Sequence, residues 1–262
     1  MNHDRRITFA VALPVYNEQT CVAEAVITIN EVLNEIPFET KIIAVNDGSK
    51  DRSLEILKSL LTGYPRLIIV NHPINRGYGG ACLSALEKGH QEKLTYVLYM
   101  DCDLTQDPKY IKDFIEKMQQ GYALIKGSRY INGGKVEGVP YYRKFLSSLG
   151  NFVAGLFWRL PIKDFTNGFR AIRTDTFELL QLKERGFSIL MEEIYCLSYF
   201  TKNFSEVPYI LTVREDNQGT SSFSYSYKVF YSYLKYPILS FLKIKPAYVN
   251  DLKPRQGLVD EN

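Results

Sequence analysis

Two carboxylates, one residue apart, form the sharpest chemical feature of the sequence. Asp101-Cys102-Asp103 follows the apolar run Tyr96–Met100, so both acids are expected at the end of a β-strand. Residues two apart on an extended chain point the same way, and neighbouring carboxylates repel unless a cation lies between them. Oxygen ligands favour Mg²⁺ or Mn²⁺, which can hold a diphosphate and neutralise it as it leaves. The pair is therefore a candidate metal site, with a polar turn as the plain alternative.

Short apolar runs alternate with segments of helical period along the first half of the chain. The predicted strands are Ile7–Leu13, Lys41–Val45, Leu67–Val70, Tyr96–Met100 and Ala123–Lys126. Helices are expected at residues 20–36, 54–61 and 110–118. This alternation predicts a mostly parallel sheet covered on both faces, with ligands at the C-terminal ends of its strands.

The pattern changes in the second half of the chain. We expect a glycine-rich loop at Asn132–Gly138, helices at 145–160, 174–184 and 188–201, and a strand at Val207–Val213. Residues 217–249 contain no acidic residue, four lysines and six tyrosines. Tyrosine and lysine suit a membrane–water boundary.

Composition excludes several classes of protein. With 45% hydrophobic residues and a net charge of +3, the 262-residue chain is neither disordered nor basic enough for nucleic acid to be its main partner. Its four cysteines are scattered, which indicates a reduced, cytoplasmic protein without a zinc site. We find no signal-peptide pattern and no run of the ~18 apolar residues that a spanning helix needs.

The order of four motifs resembles family 2 of the glycosyltransferases. Pro14–Glu18 closes the first strand, Asn46–Asp51 the second, Asn75–Ala81 opens a helix, and Asp101–Asp103 closes the fourth strand. The resemblance covers roughly residues 7–215. It implies the GT-A fold, a Rossmann-like α/β domain with a mixed, mostly parallel sheet flanked by helices. We accordingly expect a catalytic domain over residues 1–215 and a C-terminal helical extension over residues 216–262.

Within that family the chain most resembles dolichyl-phosphate mannosyltransferases and other polyprenyl-phosphate glycosyltransferases. The resemblance is carried by Gly127–Tyr130, Arg143, Ser147, Asp164–Arg170, Met191-Glu192, Glu206–Pro208 and Arg214. It implies an inverting, Mg²⁺- or Mn²⁺-dependent transfer of a sugar from a nucleotide diphosphate sugar to a polyprenyl phosphate. A hydroxyl acceptor in cell-surface polysaccharide synthesis is the alternative, and a sugar-nucleotide-binding protein without turnover is a further one.

The same resemblance assigns roles to individual residues. Contacts to the nucleotide sugar are implied for Pro14, Tyr16, Glu18, Asp47 and Gly79, and metal ligation for Asp101 and Asp103. The pocket for the acceptor phosphate and the sugar diphosphate maps to Arg129, Arg143, Ser147 and Arg214. Guanidinium groups suit phosphate oxygens, and Arg143 and Ser147 are neighbours on one helix face.

Two positions depart from the pattern or leave alternatives open. Where the lipid-phosphate enzymes commonly carry a metal-binding Gln, this chain has Thr105, with Gln106 next to it. Glu192 and Glu193 are candidate general bases for a hydroxyl acceptor. A phosphate acceptor is already ionised and needs no base, so Glu192 would then bind a sugar hydroxyl.

Competing motifs are weaker. Asp101–Thr105 also matches the Asp-x-Asp-x-Thr of aspartyl-phosphate phosphatases, where it closes the first strand and not the fourth. Gly77–Gly80 lacks the full dinucleotide-binding pattern. We expect a cytoplasmic protein. The apolar face of residues 145–160 and the segment 217–249 either contact the cytoplasmic face of the membrane or a membrane-protein partner, or pack on the core of the domain.

Overall fold

The computed structural model describes residues 7–138, 141–212 and 227–246, without the side chains of residues 142, 143, 146 and 227–230. Its strands are β1 (Phe9–Val15), β2 (Thr40–Asp47), β3 (Leu67–His72), β4 (Tyr96–Tyr99), β5 (Leu124–Ser128), β6 (Lys135–Val136), β7 (Arg170–Arg173), β8 (Phe204–Pro208) and β9 (Ile210–Leu211). Its helices are α1 (Val22–Asn34), α2 (Ser53–Leu60), α3 (Gly77–Gln91), α4 (Ile111–Gln119), α5 (Tyr141–Trp158), α6 (Ile189–Leu197) and α7 (Tyr227–Phe241), with 3₁₀ turns at Pro108–Tyr110 and Thr174–Leu179.

Seven strands form one sheet in the order β3-β2-β1-β4-β7-β5-β8. Neighbouring strands are parallel except at β7, which runs antiparallel to both β4 and β5. β6 and β9 pair separately as a short parallel ribbon. The predicted mixed, mostly parallel sheet flanked by helices is therefore confirmed.

The sheet is covered on both faces, as the continuous apolar runs of its strands predict. Successive side chains of β1 alternate between two hydrophobic cores: Ala10 and Ala12 face α3 and α6, whereas Val11 and Leu13 face α1 and α4. Because β1 lies inside the sheet and both its faces are covered, its C-terminal end is held rigidly where polar residues follow.

Several elements of the second half differ from the prediction. The predicted strand Val207–Val213, whose last residue lies outside the described residues, corresponds to two strands, β8 and β9, and the predicted loop Asn132–Gly138 contains β6. Arg170–Arg173 is an inner strand, although only four residues long, because β4 and β5 bond to it from both sides. The predicted helix at 174–184 is only a 3₁₀ turn, Thr174–Leu179, followed by an irregular loop. Lys183 and Glu184 are not helical. Their backbone N–H groups donate to the carboxylate of Glu192 and not to a carbonyl of a preceding helical turn.

The reversal of β7 has a direct effect on the site. Because β7 is antiparallel, its N-terminal end lies at the same edge of the sheet as the C-terminal ends of its parallel neighbours. The loop before it, residues 164–169, therefore joins the residues that follow β1, β2, β4 and β5.

The C-terminal helix α7 packs on the domain through aromatic contacts. Phe157 of α5 meets Phe241 edge to face with 5.2 Å between ring centroids, and Tyr195 of α6 lies 5.3 Å from Tyr236. Among the described helices, none combines the length and the apolar character needed to span a bilayer.

Candidate active site

A cleft of about 760 Å³ opens at the C-terminal edge of the sheet. It is a suitable size for a small organic ligand. Its lining includes most of the predicted site residues that the structure describes: Pro14, Tyr16, Glu18, Asp47, Asp101, Asp103 and Arg129. Residues from four strand ends and from the loop before β7 thus meet in one place, as expected for an open α/β sheet.

The two carboxylates of the Asp-x-Asp pair are held by different neighbours. Gln106, which is buried, accepts a hydrogen bond from the backbone N–H of Asp101 (2.9 Å) and donates one to Oδ2 of Asp101 (2.7 Å). Oδ1 of Asp103 accepts from the backbone N–H (3.1 Å) and the hydroxyl (2.8 Å) of Thr105. Thr105 and Gln106 therefore both act on the pair, each on a different acid.

The electrostatics of the pair fit a divalent cation. Burial and the nearby charge of Asp103 raise the pKa of Asp101 to about 7, because two crowded carboxylates resist full ionisation. Within the described ranges, no cluster of three or more His, Cys, Asp or Glu side chains could complete a metal cage. Two carboxylates with further positions left to substrate phosphates are nevertheless the usual arrangement for Mg²⁺. Asp101 and Asp103 are thus the residues that would hold the ion.

Asp47 reaches the cleft but also organises its wall. Its two carboxylate oxygens accept from the backbone N–H groups of Arg76 (2.8 Å) and Gly77 (2.9 Å), at the start of α3. Nδ1 of the buried His72 lies 2.6 Å from Oδ1 of Asp47, and Nε2 of His72 lies 2.9 Å from Oγ of Ser84. Asp47 therefore fixes the beginning of α3 against the end of β2.

Gly79 lies outside the cleft lining, at a close contact between two backbone segments. Its N–H donates to the carbonyl oxygen of Arg185 (2.7 Å), and a Cβ added there would lie 2.2 Å from the carbonyl oxygen of Glu184. The approach of the 184–185 loop thus accounts for a glycine at this position, and the nucleotide-sugar contact that the resemblance implies for Gly79 stays a prediction.

Arg129 is the centre of a buried polar cluster beside the cleft. Its guanidinium forms a two-pronged ion pair with Asp164 (2.7 and 2.8 Å) and donates to the hydroxyl of Thr166 (3.2 Å). Ser147, on α5, lies 3.5 Å from Nη2 of Arg129 and accepts from the hydroxyl of Tyr130 (3.0 Å). Burial lowers the pKa of Arg129, but Asp164 more than offsets this, so the group stays charged. Arg129 and Ser147 are therefore neighbours, and their binding of an acceptor phosphate stays a prediction.

The structure gives less information on the other two predicted arginines, Arg143 and Arg214. Arg143 lies on α5, one turn before Ser147, and its side chain is among those not described. Arg214 falls outside the described residues. Two residues before Arg214, Thr212 lies next to the Asp-x-Asp pair. Its N–H and its hydroxyl both donate to the carbonyl oxygen of Thr105 (3.3 and 3.2 Å).

The two candidate bases do not line the cleft. Oε2 of Glu192 accepts from the backbone N–H groups of Lys183 (2.9 Å) and Glu184 (2.8 Å). Glu193 forms a buried two-pronged ion pair with Arg170 (2.5 and 2.6 Å). Burial raises the pKa of Glu192 despite these backbone donors. Both carboxylates therefore form bonds within the fold, and a role of Glu192 as a general base or in binding a sugar hydroxyl stays a prediction.

Three side chains in or beside the cleft were not predicted from the sequence: Lys126, Asn151 and Arg185. Lys126 is fully buried and donates to the carbonyl oxygens of Phe165 (3.3 Å) and Asn167 (2.5 Å), which fixes the loop before β7. Asn151 on α5 also binds this loop, through the N–H of Phe165 (2.8 Å). Arg185 lines the cleft. The lysine inside the apolar run of β5 could have predicted a buried polar contact, since lysine is almost never fully buried without partners.

Comparison with known proteins identifies relatives in sequence. The sequence model described as glycosyl transferase family 2 matches residues 10–180. Dolichol-phosphate mannosyltransferase from Pyrococcus furiosus is 32% identical over 209 residues, which cover 78% of this chain and 56% of that protein. Undecaprenyl-phosphate mannosyltransferase from Micrococcus luteus is 25% identical over 213 residues, covering 80% of this chain and 86% of that protein. The chain thus spans little more than half the length of the archaeal relative.

Solved structures identify the fold. Glucosyl-3-phosphoglycerate synthase from Mycobacterium tuberculosis, crystallised with Mn²⁺, UDP and phosphoglyceric acid, is similar with a TM-score of 0.64. The match covers 92% of this chain and 80% of that chain at 16% sequence identity. At this identity the likeness establishes the shared fold alone.

Proposed function

Because this chain belongs to glycosyl transferase family 2, we propose that it transfers one sugar from a nucleotide diphosphate sugar to a polyprenyl phosphate. The observation that carries the proposal is that one cleft is lined both by the Asp101/Asp103 pair and by Arg129 and Thr166 of the polar cluster. The first suits a metal-bound diphosphate and the second an anionic acceptor. The names of the Pyrococcus and Micrococcus relatives support a lipid-phosphate acceptor.

The proposed reaction inverts the configuration at the anomeric carbon. An oxygen of the acceptor phosphate forms the new bond to that carbon, while the bond from the carbon to the donor diphosphate breaks on the opposite face. The nucleoside diphosphate leaves with the electron pair. A Mg²⁺ or Mn²⁺ ion held by Asp101 and Asp103 would neutralise charge on the leaving diphosphate.

A phosphate acceptor agrees with the bonding of the two glutamates. A hydroxyl acceptor must lose a proton as it attacks, which calls for a carboxylate near the anomeric carbon. Glu192 and Glu193 are engaged with Lys183, Glu184 and Arg170. A phosphate monoester, in contrast, is largely ionised at neutral pH and attacks without a base.

We also propose that α5 and α7 rest on an anionic membrane surface. Both helices expose large apolar side chains: Tyr141, Phe145, Leu149, Phe152 and Leu156 on α5, and Tyr231, Ile238, Phe241 and, just beyond α7, Leu242 and Ile244. Residues 141–163 and 227–246 each contain four basic residues and no acid. Apolar side chains interleaved with unopposed positive charge suit the boundary of an anionic bilayer.

The opposite face of α5 links this surface to the site. Ser147 and Asn151 point from α5 to Arg129 and the loop before β7, while Phe145, Phe152 and Leu156 are exposed. A helix lying on the bilayer would therefore contact the Arg129 cluster through its opposite face. A lipid phosphate could reach Arg129 without leaving the membrane boundary.

Product analysis tests the proposed function. We would incubate the protein with a panel of nucleotide sugars and Mn²⁺, with and without a short-chain polyprenyl phosphate, and measure released nucleoside diphosphate and inorganic phosphate. Nucleoside diphosphate release that depends on the lipid phosphate is expected. Release that depends instead on a glycan hydroxyl would establish the alternative acceptor, inorganic phosphate alone would indicate a phosphatase, and binding without release would indicate a non-catalytic protein.

A further inference from the structure

The loop at residues 182–188 forms one wall of the cleft. Arg185, Gly186 and Phe187 are among the lining residues, and the Phe187 ring stacks on that of Tyr78 with 4.5 Å between centroids. The backbone of the loop is tied to α3 by the hydrogen bond from Gly79 to the carbonyl oxygen of Arg185. The loop therefore belongs to the side of the cleft that α3 and Asp47 form.

Two glycines allow this approach. A Cβ at Gly77 would lie 2.3 Å from the carbonyl oxygen of Arg185 and 3.5 Å from its Cβ, and Gly77 has a φ of +81°. A Cβ at Gly79 would lie 2.2 Å from the carbonyl oxygen of Glu184. Any larger residue at either position would push the loop outward, so the sequence at the start of α3 determines where Arg185 sits.

The loop is also anchored from behind. Glu192 of α6 accepts from the N–H groups of Lys183 and Glu184. The carboxylate of Glu184 in turn accepts from the hydroxyl of Tyr236 on α7 (2.7 Å) and from the hydroxyl of Ser188 (2.8 Å). A loop fixed at this many points loses little entropy when a ligand binds to it.

Arg185 differs from the other arginine of the cleft. The lining contains four acids, Glu18, Asp47, Asp101 and Asp103, and two basic residues, Arg129 and Arg185. Arg129 is largely buried and already paired with Asp164. Arg185 is exposed, and among the described residues its guanidinium has neither a hydrogen bond nor an ion pair. Among the described residues of the lining, the whole guanidinium of Arg185 is thus open to a ligand, whereas Asp164 engages two nitrogens of Arg129.

Charge balance indicates which ligand this is. A divalent cation between two ionised carboxylates has no net charge left, so the negative charge of a diphosphate needs a further cation. A guanidinium matches phosphate oxygens with two parallel hydrogen bonds. We infer that Arg185 binds the diphosphate of the nucleotide sugar and holds the leaving nucleoside diphosphate, an inference that rests on the proposed function.

Nucleotide affinity tests this inference directly. We would measure the Kd of UDP, GDP, CDP and ADP with Mn²⁺ by calorimetry and use the tightest ligand of the wild-type protein for the variants. Arg185→Ala should weaken binding about tenfold to a hundredfold, the usual effect of losing charge-assisted hydrogen bonds. Arg185→Lys should recover part of this loss, because lysine keeps the charge but not the planar fork. Lys183→Ala removes a like charge from an exposed position of the same loop, away from the cleft, and should leave Kd unchanged.

Other outcomes have separate meanings. An unchanged nucleotide Kd in Arg185→Ala, with or without an increased KM for short-chain polyprenyl phosphate, would overturn the assignment; an increased acceptor KM would place Arg185 at the acceptor phosphate instead. Equal losses in Arg185→Ala and Lys183→Ala would show a general charge effect and also overturn it. If the wild-type protein binds none of the four nucleotides, the proposed function fails and this inference fails with it.

Discussion

Gln106 holds Asp101 through both ends of its amide, one bonded to the backbone N–H and the other to the carboxylate. Where the resemblance to the lipid-phosphate enzymes implies a metal-binding Gln, this chain has Thr105, followed by Gln106. Gln106 fixes the orientation of one carboxylate, while Thr105 fixes the other. Both carboxylates of the pair are thereby oriented by neighbouring side chains, which would reduce the cost of assembling the proposed metal site.

Replacing one of the two proposed metal ligands should greatly reduce turnover without unfolding the protein. In Asp103→Asn the amide oxygen can still accept from Thr105, but the charge that would hold the ion is lost. We expect turnover to fall by about a hundredfold or more, since the ion supplies several kcal/mol of charge stabilisation, with little change in Tm. Asp107→Asn is the matched control, because Asp107 caps the backbone N–H of Lys109 and asparagine caps equally well. Full activity of the wild-type enzyme after treatment with a chelator would contradict the metal assignment.

Arg143 should affect the acceptor and not the donor. It lies one helical turn before Ser147, whose hydroxyl belongs to the Arg129 cluster. Loss of the proposed charge-assisted hydrogen bonds to the acceptor phosphate in Arg143→Ala should cost about 1.5–3 kcal/mol, seen as a tenfold to hundredfold rise in acceptor KM or fall in kcat. Nucleotide affinity should stay near the wild-type value. Lys144→Ala, at the exposed neighbouring position, is the control. Unchanged kinetics of Arg143→Ala with polyprenyl phosphate would favour a hydroxyl acceptor.

Two variants of Glu192 distinguish a residue that holds the 182–188 loop from a general base. Glutamine at this position keeps an oxygen that can accept from Lys183 and Glu184, so Glu192→Gln should retain kcat within about tenfold. Glu192→Ala leaves two backbone N–H groups without their acceptor, at about 1–3 kcal/mol of unfolding free energy, and should also raise donor KM. A loss of kcat by about 10²–10⁴ in Glu192→Gln, with its Tm unchanged, would support the general base.

Lys126 should make stability rise with pH above neutrality. Burial lowers its pKa from 10.5 to about 7, so between these values the unfolded chain binds the proton and the folded chain releases it. Stability from this residue then increases with pH, by at most about 1.4 kcal/mol per pH unit. In urea denaturation at about pH 7.5 and 9, wild-type protein should gain unfolding free energy relative to Lys126→Met. Parallel pH dependences of the two proteins would show that Lys126 keeps its proton.

Vesicle flotation tests the membrane surface. Wild-type protein should float with anionic vesicles at low salt and less so at high salt, without complete release, because salt does not screen apolar insertion. Reversing the charges of the exposed Lys243 and Lys245 should weaken flotation. Lys235 is unsuitable for this test, since it binds Glu184 of the cleft loop. The same reversal at the exposed Lys50 and Lys58, near α2 on the opposite face of the sheet, is the control. Wild-type protein that stays wholly unbound would contradict the proposal.

Sequence alone predicted the features that depend on local order along the chain. The strands before Asp47 and Asp101 are apolar and short, and the acids follow them directly, so their meeting at one edge of a sheet was predictable. Arg185 was not, because an exposed arginine resembles any other surface charge. Its place in the cleft depends on contacts with Gly77 and Gly79, which are distant in sequence. β7 was missed for a similar reason, since four residues become a strand only between two partners.

The late insertion of β7 between β4 and β5 also makes the two halves of the chain dependent on one another. A fragment ending before residue 164 would contain β4 and β5 without the strand that joins them, and both would present unpaired backbone edges. Such edges are templates for aggregation, so a protein cut there should not yield a soluble nucleotide-binding half. The order of the strands places the completion of the sheet late in synthesis, after the loop bearing Asp164 has emerged. Assembly of the strand ends that carry Asp47 and Asp101 and assembly of the Arg129 cluster are then parts of one folding event.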